Sequence, residues 1–174
     1  LYAVDDTADH AKRKQNLRGN VCFVTIGYVG EIKGHDILIE AIKNLSAEKR
    51  KNAVFCFVGQ NSSVMAQNLM REIGDIPEIV MTGAVGRDMI HEILNSADVL
   101  ICPSREDSMP TVAAEAMMHN VPCILSDMTG TAELIENGLN GLVFPGEDVK
   151  ALTSQIVWCM EHRVELIRMG EKAR

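Results

Sequence analysis

Lys33, Asp107 and Glu115 are the residues whose types and settings could do chemistry in this chain. Lys33 precedes Gly34 in the loop that leaves an apolar strand, at a Gly27-x5-Lys33-Gly34 spacing. A lysine there can meet a phosphate as a point charge, and the amides of the next helix add partial positive charge. Its bland reading is an exposed loop lysine; the spacing favours the functional one. Asp107 lies in a polar loop, residues 103–109, after another apolar strand. Glu115 stands among small and apolar residues in AAEAMM, on a helix that opens near Pro110. A charged residue is rarely buried without a partner. Glu115 is therefore a solvent-facing helix position, a partner of a backbone amide, or an acceptor for sugar hydroxyls. Glu106 and Asp107 could serve similarly, or could cap the helix with Ser108. A strand end, a polar loop and a helix N-terminus together make a site for an anion.

The elements that must position these residues follow from apolar runs. The run VCFVTI, Val21–Ile26, is continuous and suits a strand covered on both faces. Further strands are expected at Ala53–Val58 and at residues 78–81, 98–102, 122–125 and 141–144. Between them lie helical patterns. Ile37, Leu38, Ile42 and Leu45 recur at helical spacing. Gln60, Asn61, Ser62 and Ser63 can cap a helix over Val64–Ile73, which Gly74 ends. Helices are also expected over residues 88–95, 110–119 and 131–136, and from near Asp148, with Leu152, Ile156, Cys159 and Met160 on one face. Strand and helix alternate about six times, which predicts an α/β doubly wound parallel sheet. Ligands of such sheets bind beyond the carboxyl ends of the strands.

Composition narrows the function. The chain has 174 residues, enough for one domain with its own core. The net charge of -7 argues against a nucleic-acid binder. No run approaches the roughly eighteen apolar residues of a membrane span. The N-terminus is polar, without an initiator Met or a signal peptide, and looks like a connector cut from a longer protein. Its cluster Lys12, Arg13, Lys14 and Arg18 reads as a solvated face. The five cysteines form no CxxC pair and read as small buried hydrophobes in a reducing, cytosolic setting. Asn44-Leu45-Ser46 and Asn61-Ser62-Ser63 match the glycosylation sequon by chance. GYVGEIKG after the first strand is neither G-x-G-x-x-G nor a P-loop, which sets aside nicotinamide enzymes and P-loop nucleotidases. HEILN, residues 91–95, carries half of a zinc-protease pattern, with Asn95 in place of the second His, and reads as helix surface.

Four segments carry a resemblance: GYVGEIKGHDILIEAIKNL, FCFVG, MTGAVGRDMIHEILNSADVLICPSREDSMPTVAAEAMMHNVPCILSD and GTAELIENGLNGLVFPGEDVKAL. Together they resemble the C-terminal, donor-binding domain of retaining glycosyltransferases with the GT-B fold, the group often called family four. The resemblance runs from about residue 21 to the end. Its Glu-x7-Glu motif puts the second Glu at Glu115, which the resemblance places at the ribose of the nucleotide. Seven intervening residues earlier stands Asp107, one methylene shorter than the usual Glu, with Glu106 one position out of register. Asp107 thereby takes the sugar-facing place. Ser108, Met109, Pro110 and Thr111 fall where family amides meet the sugar and diphosphate. Val85 matches the position against the base, and Lys33 matches the phosphate lysine. After Gly27 the family often has an Arg as a second cation; here it is Tyr28. Arg105 and Arg87 are the cations that could stand in for it.

The resemblance implies a Rossmann-like sheet, the C-terminal half of a GT-B fold. Residues 1–20 are expected to be a linker from a missing N-terminal acceptor domain, and residues 21–174 a nucleotide-sugar domain cut short at its C-terminus. The implied activity moves a hexosyl group from a UDP- or GDP-type sugar to an acceptor hydroxyl, with retention, in glycan or polysaccharide biosynthesis. Lys33 and Asp107 would be the catalytic residues, and neither cofactor nor metal is implied. The acceptor, a glycan or lipid-linked sugar, would arrive through the missing domain, so the fragment alone should bind donor without transfer. The expected location is cytoplasmic, or at the membrane surface in the full-length enzyme. Alternatives are another GT-B enzyme, such as a nucleotide-sugar epimerase or a sugar phosphorylase, or a non-catalytic module, which Tyr28 and Asp107 favour.

Overall fold

Six apolar runs become six strands: Val21–Ile26 (β1), Ala53–Val58 (β2), Ile79–Gly83 (β3), Val99–Cys102 (β4), Cys123–Ser126 (β5) and Gly141–Phe144 (β6). The structure is a computed structural model that describes residues 19–74 and 76–174. The expected connector and its basic cluster lie outside the described residues, except for Gly19 and Asn20. All strand pairs are parallel, in the order β3-β2-β1-β4-β5-β6. This is the doubly wound sheet expected from the alternation. The order reverses between β1 and β4, which opens a crevice at the ends of those two strands.

Successive side chains along a strand enter opposite faces, so the four inner strands, β2, β1, β4 and β5, each feed two cores. On one face Phe23, Phe55, Val99, Ile101 and Phe144 pack against the helices His35–Lys43 (α1), Val64–Ile73 (α3), Val149–Glu161 (α6) and Arg163–Ala173 (α7). The Phe23 and Phe55 rings stack at 5.1 Å. On the other face Val24, Leu100, Cys102 and Leu125 meet Leu94 of the helix Arg87–Ser96 (α4) and Ala113, Ala116 and Met117 of the helix Thr111–Met118 (α5). Alanines on α5 let it lie close to the sheet.

Several expectations shift in detail. Leu45 lies beyond α1, which stops at Asn44. A short helix, Ala47–Arg50 (α2), follows, capped by Ser46 through the Lys49 amide. Ser63 caps α3 through the Ala66 amide. The last serines of both sequons are thus helix caps. Strand β3 continues to Gly83, because a register shift at Phe57/Val58 brings Gly83 opposite Val58. The helix expected over residues 131–136 is a 3₁₀ turn, Gly130–Leu134. Asp148 caps α6 as its position suggested. Helix α7 was not anticipated, since Leu166 and Met169 are the only large apolar side chains that it buries.

Two glycines let the loops at the crevice touch. Gly34 adopts φ 66, and a Cβ there would stand 1.9 Å from the Pro103 carbonyl oxygen. A Cβ on Gly130 would stand 1.9 Å from the Ser108 carbonyl oxygen. The loop after β4 is therefore pressed between the loops that follow β1 and β5. Gly34→Ala should destabilise the fold by about 3 kcal/mol, from a left-handed backbone plus a backbone clash. Urea unfolding checks this, with wild-type stability as the contrary result.

Candidate functional site

The loop after β4 is fixed from both sides. Arg105 extends a guanidinium fork to Asp36 at the start of α1, with Nη1–Oδ1 at 2.8 Å and Nη2–Oδ2 at 2.7 Å. Its Nη1 also donates to the Glu31 carbonyl at 2.7 Å, and its Nε to Glu147 at 2.6 Å. The Arg105 amide donates to the Ile32 carbonyl at 2.8 Å. On the far side, the Gly130 amide donates to the Asp107 carbonyl at 2.9 Å. Arg105 is fully engaged in this framework, so it does not replace the cation missing at Tyr28.

Within that frame Lys33 Nζ donates to Asp107 Oδ2 at 2.5 Å, an ion pair with Lys33 26% and Asp107 14% exposed. The pair joins the two loops directly across the switch point. It also forms part of the wall of a cleft of about 640 Å³. Gly27, Lys33, Asp107, Met109, Pro110, Thr111 and Glu115, all singled out from the sequence, line that cleft together. Glu115 is half-buried there rather than free in solvent. Tyr28, Ser108 and Val85 stand outside the lining. Tyr28 is 49% exposed, and its ring lies so close to Gly30 that a Cβ there would sit 2.6 Å from it. Val85 packs at the margin of the second core.

Ile26, Arg87, Ile90 and Val112 also line the cleft. Arg87 opens α4 and makes no ion pair among the described residues. The lining thus carries two cations, Lys33 and Arg87, and two carboxylates, Asp107 and Glu115. Helix α5 begins without a side-chain cap, so Glu106, Asp107 and Ser108 do not close its N-terminus. Asp107 is drawn to Lys33 instead. The first residues of α5 line the cleft, and their unpaired amides are a partial positive charge beside it.

The remaining sequence candidates are structural. His91 is not plain helix surface: its Nδ1 meets His119 Nε2 at 3.1 Å, and His119 Nδ1 meets Asn95 Oδ1 at 2.6 Å. The HEILN segment therefore grips the end of α5. Among the described residues no group of three or more His, Cys, Asp or Glu could hold a metal ion. All five cysteines are free thiols. Burial, then the charge of Asp107, pushes the Cys102 thiol up to about 12, so it is inert. No helix among the described residues is long and apolar enough to cross a membrane.

Comparison with known proteins bears on this cleft. The profile of the family described as Glycosyl transferases group 1 matches residues 21–162. The chain belongs to the group 1 glycosyl transferases. It is 27% identical over 123 residues to a D-inositol 3-phosphate glycosyltransferase of Xylanimonas cellulosilytica, covering 70% of this chain and 30% of the relative. It is 24% identical over 150 residues to the UDP-Gal:alpha-D-GlcNAc-diphosphoundecaprenol alpha-1,3-galactosyltransferase of Escherichia coli, covering 84% of this chain and 38% of that enzyme. Among solved structures, Anabaena Alr3699/HepE in complex with UDP-glucose superposes with a TM-score of 0.80 at 21% identity, over 96% of this chain and 47% of that one. The chain spans about a third of the length of these curated relatives. The fold of this group 1 domain is that of a GT-B C-terminal domain, Rossmann-like, as the resemblance implied.

The clamp makes a pH prediction. Burial works against the Asp36 charge, but the hydrogen bonds and the charge of Arg105 outweigh it and hold the carboxyl below its ordinary value. A depressed carboxyl adds stability above its unfolded pKa, about 3.9, and loses it as pH falls through the folded value. Asp36→Asn should therefore lower stability more at pH 7 than at pH 3. Urea titrations at both pH values test this, and equal losses would contradict it.

Proposed function

We propose that this domain holds the donor of a retaining hexosyl transfer, a nucleoside diphosphate sugar of the UDP or GDP type. One observation carries the reading. The cleft gathers two cations and a helix N-terminus together with two carboxylates, so its formal charges cancel. A simple anion gains little from such a wall. A ligand with a charged centre and hydroxyl-rich flanks matches it, because ammonium, guanidinium and amides meet phosphate while carboxylates accept from hydroxyls. A nucleotide sugar has that pattern. The names of the Escherichia coli relative and of the Anabaena complex point to the same ligand class.

In this reading the bond between the anomeric carbon and the diphosphate oxygen breaks, and the diphosphate gathers negative charge. Lys33, Arg87 and the amides of Thr111 and Val112 at the open start of α5 meet that charge, an electrostatic role preorganised by the clamp. Asp107 orients the sugar, Glu115 the ribose, and Val85 stands toward the base. Ser108, Met109, Gly27 and Tyr28 shape the approach. The acceptor hydroxyl adds to the same face of the sugar and gives its proton to the departing diphosphate. No metal or organic cofactor enters the scheme, since side chains and amides meet the diphosphate charge. The acceptor is a glycan or lipid-linked sugar, and the setting is polysaccharide biosynthesis on the cytoplasmic side of a membrane.

Calorimetry with UDP, GDP and ADP tests the reading, and absence of binding at millimolar concentration to all three would overturn it. Lys33→Ala should weaken nucleoside diphosphate binding roughly tenfold, about 1.4 kcal/mol. Asp107→Asn separates the roles. It frees Lys33, so UDP alone should bind at least as tightly, while any preference for the sugar nucleotide over UDP disappears. Equal weakening for both ligands would argue against a sugar-facing Asp107.

A further inference from the structure

His35 is a buried titratable residue that the proposed scheme does not use. It opens α1 directly after Gly34 and is 1% exposed. One face of its ring tilts against Phe57, with centroids 5.8 Å apart. Neither ring nitrogen has a hydrogen-bond partner among the described residues. The Gly30 backbone lies near the ring and favours its protonated form, but burial outweighs it. Burial holds the ring's pKa down to about 4, so it is neutral at physiological pH. Two bare nitrogens in a core cost more than a hydrocarbon ring of the same shape, so such groups have a partner.

The surroundings supply one. His35 lines a narrow cavity of about 10 Å³, the room of one water molecule. Lys33, Asp107, Thr25 and Ser104 line it as well. Thr25 and Ser104 are buried hydroxyls. The cavity shares Lys33, Asp107, Ile26, Pro110 and Val112 with the donor cleft. The ion pair is thus a partition, with the cleft on one side and His35 on the other.

We infer that His35 is a positioning residue for the Lys33–Asp107 pair, acting through one water molecule held in that cavity. The inference rests on the donor role proposed for the pair. A neutral imidazole has one donor and one acceptor nitrogen. A water bonded to one ring nitrogen still accepts from the ammonium and donates to the carboxylate, so the neutral ring supports both without adding charge. A charged ring would repel Lys33. A hydrocarbon ring would leave the inner side of the pair unsupported. The effect is to hold both side chains at one setting before ligand arrives, which lowers the ordering cost of binding.

The test compares His35→Leu with His35→Gln in the full chain, by calorimetry with UDP and by thermal melting. Glutamine keeps a donor and an acceptor; leucine keeps neither. His35→Leu should melt at or above the wild-type temperature and bind UDP roughly tenfold more weakly. His35→Gln should bind within about threefold of wild type. Wild-type affinity in His35→Leu, or affinity that falls only in step with melting temperature in both variants, overturns the inference. Nitrogen-15 spectra of the wild-type imidazole and a high-resolution crystal structure need no variant and no nucleotide. They should show a single neutral tautomer and a water within about 3.2 Å of a ring nitrogen. A dry cavity overturns the inference even if UDP binds. If UDP, GDP and ADP all fail to bind wild type while the water is present, the donor reading falls and the water site stands.

Discussion

The fork of Arg105 on Asp36 is the contact on which the candidate site depends. A parallel sheet whose order reverses at β1 and β4 leaves a crevice, but two loops over a crevice have no reason to keep one spacing. Arg105 supplies that reason with two parallel bonds to a carboxylate, a geometry that fixes direction as well as distance. Its other donors reach Glu31 and Glu147, so one side chain ties together the loop after β1, the loop after β4 and the approach to α6. The close approach of Gly34 to Pro103 sets the same spacing sterically. With the loops fixed, Lys33 and Asp107 meet across the gap, and the N-terminus of α5 is left open beside them.

Much of this was legible in the sequence, for definite reasons. Strands buried on both faces read as unbroken apolar runs, so β1, β2 and β6 stand where the residues put them. Caps are local chemistry, so Ser63 and Asp148 marked the starts of α3 and α6. The loops that carry the site follow from strand polarity alone. What was not legible is pairing at a distance. Lys33 and Asp107 are 74 residues apart, and their bond depends on β1 lying beside β4. Arg105 looked like a spare cation because nothing in its neighbourhood announces Asp36, 69 residues away. Arg87 and Ile90 reach the cleft through the placement of α4, which no spacing within the chain encodes. His35 reads from sequence as a polar residue at a helix start. Its burial appears only when Phe57 of β2 comes to lie against it.

Attraction over long distances does not explain how an acidic chain would hold a diphosphate. The net charge is -7, and the four charged residues of the cleft cancel in pairs. An approaching anion therefore feels little pull until it is close enough to tell one wall from another, within a Debye length of about 10 Å. Selection then depends on arrangement. Lys33 is held by Asp107 and partly neutralised by it, so full use of its charge requires that the ligand offer Asp107 a replacement donor. A sugar hydroxyl can do that, whereas the ionised oxygens of a diphosphate only accept. Breaking a part-buried pair without replacing both halves is costly, because the abandoned charge stays desolvated. In the proposed donor role the ion pair would work as a discriminator, penalising ligands that satisfy Lys33 alone and favouring those that carry phosphate and hydroxyls in the right order.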